Sequence, residues 1–183
     1  MRVRIAKDVI RQLRGGRIVT NTEVYIACHD RLADEIADQV YADRTAIVSR
    51  KHVNRLRKCG VCAIAAMFLS KVAICKDTEY AVFSEALCNY STTIDHGLWM
   101  PGPVCRDELR SYFDMSQLTL IERCYEGSTR VGRCYARVAD VAIMQWINEL
   151  PDSTDRMLAI MQNIVDHNGT FVPEIVTEVL GYQ

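Results

Sequence analysis

Cys59-Gly60-Val61-Cys62-Ala63-Ile64-Ala65-Ala66-Met67-Phe68-Leu69-Ser70 is apolar at nearly every position and begins with a CxxC pair. A helix over about 60–73 would present no polar face, and such a helix has to be buried on all sides. A basic run precedes it, Arg50-Lys51-His52-Val53-Asn54-Arg55-Leu56-Arg57-Lys58, with Ser49 placed to cap a short basic helix. Three readings of the apolar stretch compete. It is a central buried helix, a redox or metal site, or a hinge between a basic and an acidic half. The first is favoured, because free cysteine is among the most buried residue types.

Working outward, almost every segment has a helical period. Ile5, Val9 and Leu13 repeat every four residues, with Arg4, Lys7, Arg11 and Arg14 on the other faces and Gly15-Gly16 as a left-handed stop. Residues 17–27 are the one strand-like stretch, rich in Ile, Val, Thr and Tyr, and a small hairpin turning at Asn21 is expected there. Asp30 and Asp77 are placed to cap helices, the second carrying Val82, Phe83, Ala86 and Leu87 inward. Residues 89–103 have no period and hold two of the four prolines, the pattern of a long loop. Short helices follow near 105–113 and 116–125, the latter capped by Ser116. A helix over 138–147 ends before Pro151, and an acid-capped helix starts at Asp152 and stops at Asn168-Gly169. Pro173 suits the first turn of a last helix. The expected fold is all-α, a mainly helical single domain over 1–183, with residues 1–45 as a possible N-terminal appendage holding the short β element. The expected core draws on Val61, Ile64, Ala65, Phe68, Leu69 and Val72, with Leu118, Ile121, Ile143, Met144, Leu158, Met161, Ile164 and Val165.

The composition sets limits on function. Among 183 residues, 49% are hydrophobic and 25% charged, an ordinary soluble globular balance. The net charge of −1 hides an asymmetry: residues 1–58 hold 13 Lys/Arg against 7 Asp/Glu, and residues 59–183 hold 9 against 16. The basic part could present a face to an anionic ligand, or the two parts could simply complement each other. Eight cysteines are too few for a disulfide-stapled scaffold, and no apolar segment suited to a signal peptide follows the basic start. No apolar run approaches the ~18–20 residues of a membrane span. Cytoplasmic location with reduced thiols, and no membrane contact, are therefore expected.

The motifs weigh against an enzyme. No P-loop, GxGxxG or GxSxG occurs, and His29, His52, His96 and His167 lie far apart in sequence. Cys59 and Cys62 follow a basic helix rather than a strand, the wrong context for thioredoxin-like chemistry, and no second CxxC completes a zinc set. They remain a rival metal-binding or redox reading. His96, in the irregular loop with Trp99, is the candidate for a small nucleotide hydrolase. The remaining signal is arginine interleaved with aromatics: Arg106, Arg110, Arg123, Arg130, Arg133, Tyr135 and Arg137. Guanidinium forks suit phosphates and aromatic faces stack on bases. With His96 and Trp99 these form the candidate ligand site. The overall charge and the lack of a recognition-helix pattern disfavour duplex DNA. No cofactor is implied.

Three stretches resemble small tailed-bacteriophage or prophage accessory proteins: residues 5–13 with Gly16-Arg17-Ile18-Val19, residues 59–70, and residues 155–165 with residues 168–174. The resemblance carries no catalytic residue across. It implies a non-enzymatic binding protein acting in an infected bacterial host cell. Such a protein would inhibit a host defence factor or sequester an anionic nucleotide signal; separately, a helical surface with scattered Tyr, Met and Arg suits the symmetric interfaces of a homo-oligomer.

Overall fold

The computed structural model describes residues 1–22, 26–28, 45–48, 50–58, 60–75, 80–83, 98–99, 102–126 and 138–173. Among them are seven helices: α1 (Arg2–Arg14), α2 (Arg50–Leu56), α3 (Ala63–Ile74), α4 (Gly102–Leu109), α5 (Met115–Glu126), α6 (Val138–Glu149) and α7 (Ser153–Asp166). Six short strands accompany them: β1 (Val19–Thr20), β2 (Ile26–Cys28), β3 (Thr45–Val48), β4 (Gly60–Val61), β5 (Tyr80–Phe83) and β6 (Leu98–Trp99). The fold is mainly all-α with a small β element.

The apolar stretch is the axis of the molecule. In α3 every residue from Ala63 to Val72 is buried, and α1, α2, α4 and α5 pack around it. Its polar groups are satisfied where they emerge. Ser70 Oγ accepts from Arg57 Nη2 at 3.2 Å. Lys71 Nζ donates to the Glu108 carboxylate at 2.6 Å and to the Glu108 carbonyl at 2.7 Å. A helix without a polar side is stable here because its faces meet other helices and the Lys71 ammonium, its one charged group, finds acceptors on Glu108.

α1 is integral to this core. Ile5, Ala6, Val9, Ile10 and Leu13 are buried, packed against α3 and, most extensively, α7. Both α1 and α7 close with the double bond pattern of a Schellman stop. Arg17 N reaches Gln12 O at 2.9 Å and Gly16 N reaches Leu13 O at 2.9 Å; Gly169 N reaches Ile164 O at 2.7 Å and Asn168 N reaches Val165 O at 3.3 Å. Gly16 at φ 62° and Asn168 at φ 54° supply the left-handed residues. The start of α7 is held by Asp152, whose Oδ1 accepts from Thr154 N at 2.8 Å and Asp155 N at 3.0 Å. Gly169 lies at φ 98°, and a Cβ there would come within 2.8 Å of Arg2 Cβ. Gly169→Ala is therefore expected to destabilise the protein by about 1–3 kcal/mol, read as a lower urea midpoint at unchanged slope.

The β element is more dispersed than the sequence suggests. β1 and β2 do not form a hairpin: β4 lies between them, in the order β1-β4-β2-β6. β1 runs parallel to β4 (Val19↔Gly60, Thr20↔Val61), β2 runs antiparallel to it (Ile26↔Val61), and β6 adds to β2 (Ala27↔Trp99). β3 and β5 form a separate antiparallel pair from Thr45↔Phe83 to Val48↔Tyr80. Val82 and Phe83, expected on a helix capped by Asp77, are thus in a strand. Cross-strand partners distant in sequence overrode the local helical period. Leu98 and Trp99 are strand within the stretch expected to be loop, and α4 begins inside it at Gly102. α5 starts one residue before Ser116, which is exposed in its first turn. The helix expected after Asp30 and the one expected after Pro173 lie outside the described residues.

On α7 the buried face is Met157, Ile160, Met161 and Ile164, so Leu158 and Val165 flank the core rather than fill it. Two neighbours, α1 and α5, share that face and rotate it from the stripe read in sequence. Met144, expected inside, is 42% exposed. The segment after α7 is tied down by two side-chain amides acting as strand partners. Gln117 accepts from Phe171 N at 2.7 Å and donates to Phe171 O at 3.2 Å. Asn163 does the same for Val172 at 2.8 Å in each direction. Phe171 is thereby held edge-on to Trp146, with ring centroids 5.5 Å apart.

Candidate functional site

The helical period of α1 separates two populations of side chains. Arg4, Lys7, Arg11 and Arg14 fall within an arc of about 80° on a helix advancing 100° per residue, opposite the buried Ile5, Val9 and Leu13. All four are exposed, as is Arg17 beyond the Schellman stop, and Arg55 and Lys58 are exposed around the end of α2. The single acid in α1, Asp8, is turned inward and is 6% exposed. The charge that reaches solvent along α1 is therefore all positive.

Asp8 is the hinge of this face. Its Oδ2 accepts from Arg57 Nη2 at 2.5 Å, and its Oδ1 accepts from Gln12 Nε2 at 3.2 Å and from Arg11 Nη2. Burial by itself would raise the Asp8 pKa. The charge of Arg57 and the hydrogen bonds from Gln12, Ser70 and Arg11 outweigh that and hold the carboxyl below its ordinary value. Arg57 is pulled below its ordinary value by burial first, with Asp8 opposing and Arg11 and Arg17 adding repulsion. One carboxylate thus serves two guanidinium groups, and the cluster retains positive charge. Asp8, Arg11, Gln12, Asn54 and Arg57, with apolar walls from Val53, Ala73 and Ile74, line a recess of about 190 Å³.

A second polar region joins β1 to the start of α7. Thr20 Oγ1 shares hydrogen bonds with Ser153 Oγ and Thr154 Oγ1, each at 2.9 Å. Tyr125 Oη donates to Asn21 O at 2.9 Å. The buried Arg156 donates to the carbonyls of Tyr125, Leu150 and Pro151 at 2.8, 2.6 and 2.9 Å, with its guanidinium 5.9 Å from the Tyr125 ring. These contacts clamp the end of α5 and the turn before α7. The depression here is open and lined by Asp152 as well as Arg156, and both charged groups are engaged by backbone, Asp152 with N–H groups and Arg156 with carbonyls.

The arginines singled out in the sequence divide. Arg106 of α4 is matched by Glu122 of α5, and Arg110 lies 3.3 Å from Asp107, one turn earlier. Arg123 is half-buried near the end of α5. Trp99 is in β6 opposite Ala27. His96, Arg130, Arg133, Tyr135 and Arg137 lie outside the described residues, as does Cys59. The structure therefore pairs two of these cations with carboxylates, whereas Arg4, Lys7, Arg11 and Arg14 share the solvent side of α1 with no exposed acid of that helix. The sequence signal for this row was present in the 4-7-11-14 spacing, read there only as the solvent side of a helix.

Cys62 sits immediately before α3 and is fully buried. Burial pushes its thiol up, and the helix N–H groups of Ala65 and Ile64 offset this only in part. Cys124 is pushed up to about 12, again by burial, with Arg123 opposing. Both thiols are protonated at neutral pH, whereas reactive cysteines are thiolates. Among the described residues no three of His, Cys, Asp or Glu come together as a metal set, and no helix is long and apolar enough to cross a membrane. Brief maleimide treatment of the native protein, read by peptide mass spectrometry, is expected to leave Cys62 and Cys124 unmodified until denaturant is added. Rapid labelling of Cys62 in native buffer would restore the reactive-thiol reading. No family model matches the chain, and no curated protein or solved structure matches it.

Proposed function

We propose that the protein is a non-enzymatic binding protein that captures an anionic, nucleotide-like ligand on the exposed face of α1 and the end of α2. The observation that carries this reading is the row Arg4, Lys7, Arg11 and Arg14, exposed on a helix whose one acid is buried. Closely spaced cations with no exposed acid among them attract phosphate groups, and guanidinium forks bind them in bidentate fashion. An amphipathic basic helix also suits a lipid surface, but that mode needs a free apolar face. The apolar face of α1 is occupied by α3 and α7. The resemblance of three stretches to phage accessory proteins supports a setting in an infected bacterial host cell. Sequestration of a nucleotide signal fits capture without turnover there.

The test is incubation with cyclic di- and trinucleotides, followed by denaturation and chromatography of what is released. Intact nucleotide is the expected product, and degraded nucleotide would instead identify a hydrolase. Affinity is expected to fall as salt rises. The triple change Arg4→Glu, Lys7→Glu, Arg14→Glu is expected to abolish binding and leave the far-UV circular dichroism unaltered. Undiminished binding by that variant would remove this face from the function.

A further inference from the structure

We infer that the ligand of the basic face is a short single-stranded oligonucleotide, laid along α1 and held by its phosphates alone; this rests on the reading of that face as a nucleotide-binding surface. Between Arg2 and Arg14 the exposed positions are Arg4, Lys7, Arg11 and Arg14, and every other residue is buried or half-buried. The solvent side of the helix therefore offers cations and nothing else. It has no hydroxyl, no amide and no ring on which a base could stack. No ion pair among the described residues reaches Arg4, Lys7 or Arg14. Arg11 meets Asp8, but the buried Arg57 already answers that carboxylate. The one acid of α1 is thus balanced from within, and the row outside keeps its charge.

The length of the row selects the ligand. At a rise of 1.5 Å per residue it is about 15 Å long, in steps of about 4.5–6 Å. A single phosphate would touch one or two of these cations, and exposed pairs of that kind are weak and screened by salt. Affinity on such a face has to come from number, and number requires a ligand whose charge repeats. A nucleotide strand carries one phosphate every ~3.4 Å when stacked and fewer when drawn out, so the row meets about three to five of them. A single strand can straighten to follow a line of cations. In a duplex the phosphates wind away from that line, and following it costs bending. Inorganic polyphosphate, with its phosphates linked directly, crowds its charge more closely than the row can match. A cyclic dinucleotide has two phosphates and engages only part of the row. With no ring on the face, the stacking share of single-strand binding is missing. The face therefore reads length and charge rather than base sequence.

Fluorescence anisotropy tests this with end-labelled oligothymidylates, from a dinucleotide to a decanucleotide. An oligoadenylate, a cyclic dinucleotide, linear polyphosphate and a hairpin duplex serve as competitors. Affinity is expected to climb with length until about three to five phosphates are engaged, and then to level. Adenylate should match thymidylate, and the cyclic dinucleotide should bind more weakly than the longer strands. At ~0.7 per phosphate contacted, the logarithm of the affinity should fall against that of the salt concentration with a slope of about −3. Arg4→Gln, Lys7→Gln and Arg14→Gln should each weaken binding to a similar degree and bring the slope to about −2. Arg110→Gln, an exposed change on α4, should alter neither. All four positions are exposed, so the circular dichroism should not change. A cyclic dinucleotide bound more tightly than any linear oligomer, and lost in the α1 variants, would overturn the strand and leave the nucleotide reading standing. Tighter binding of the duplex or of polyphosphate, or a strong preference for one base, would overturn the strand as well. Binding of no nucleotide, or a loss confined to Arg110→Gln, would overturn both.

Discussion

Asp8→Ala is expected to lower the free energy of unfolding by about 3–5 kcal/mol, a large share of the total stability of a domain this size. The pair it breaks is buried on both sides, with side-chain exposures of 5% for Asp8 and 3% for Arg57. Removing the carboxylate leaves Arg57 charged, desolvated and opposed by Arg11 and Arg17. Equilibrium urea unfolding measures the loss. The same linkage gives a pH dependence of known sign. The folded-state pKa of Asp8 is lowered, so its stabilising contribution is complete above the ordinary carboxylate range, near pH 4. It is lost as pH falls through the lowered value. Wild-type stability should therefore decline on acidification below that range, and Asp8→Ala should lack this part of the decline. A shallow loss, under about 1 kcal/mol, would mean that the pair behaves as an exposed salt bridge.

Phe68→Ala is expected to cost about 3–5 kcal/mol as well, by a different route. Phe68 is fully buried near the middle of α3, and α1, α2, α4 and α5 surround that helix. A cavity at this position cannot collapse, because each wall belongs to a different helix anchored elsewhere. The lost transfer energy and the cavity energy then add. The denaturation midpoint should fall at constant slope. Binding of a cyclic dinucleotide to the fraction still folded should be unchanged, which separates this variant from those on the basic face.

These expectations rest on features that the sequence announces unequally. The burial of α3 could be read from residues 59–70, because twelve positions without a polar stripe leave a helix no solvent side. The stops at Gly15-Gly16 and Asn168-Gly169 and the cap at Asp152 were equally plain, since each depends on residues within one turn of the boundary. Residues 80–83 misled, because their alternative partner, β3, lies some thirty residues away. Strands as short as Val19–Thr20 and Gly60–Val61 carry too few residues for a period of two to be seen. At the site, the arginines from Arg106 onward looked like the cationic surface because they alternate with aromatics. In the fold, Glu122 and Asp107 neutralise Arg106 and Arg110.

By itself the amino-acid order determined the helical class, the ends of α1 and α7 and the interior place of the thiol-bearing helix. Those properties follow from side-chain period and from backbone donors and acceptors a few residues apart. Only the tertiary structure decided that Asp8 turns inward to meet Arg57, and so that α1 shows solvent an unbroken positive face. Charge pairing acts through space, and its partners are chosen by how the helices pack.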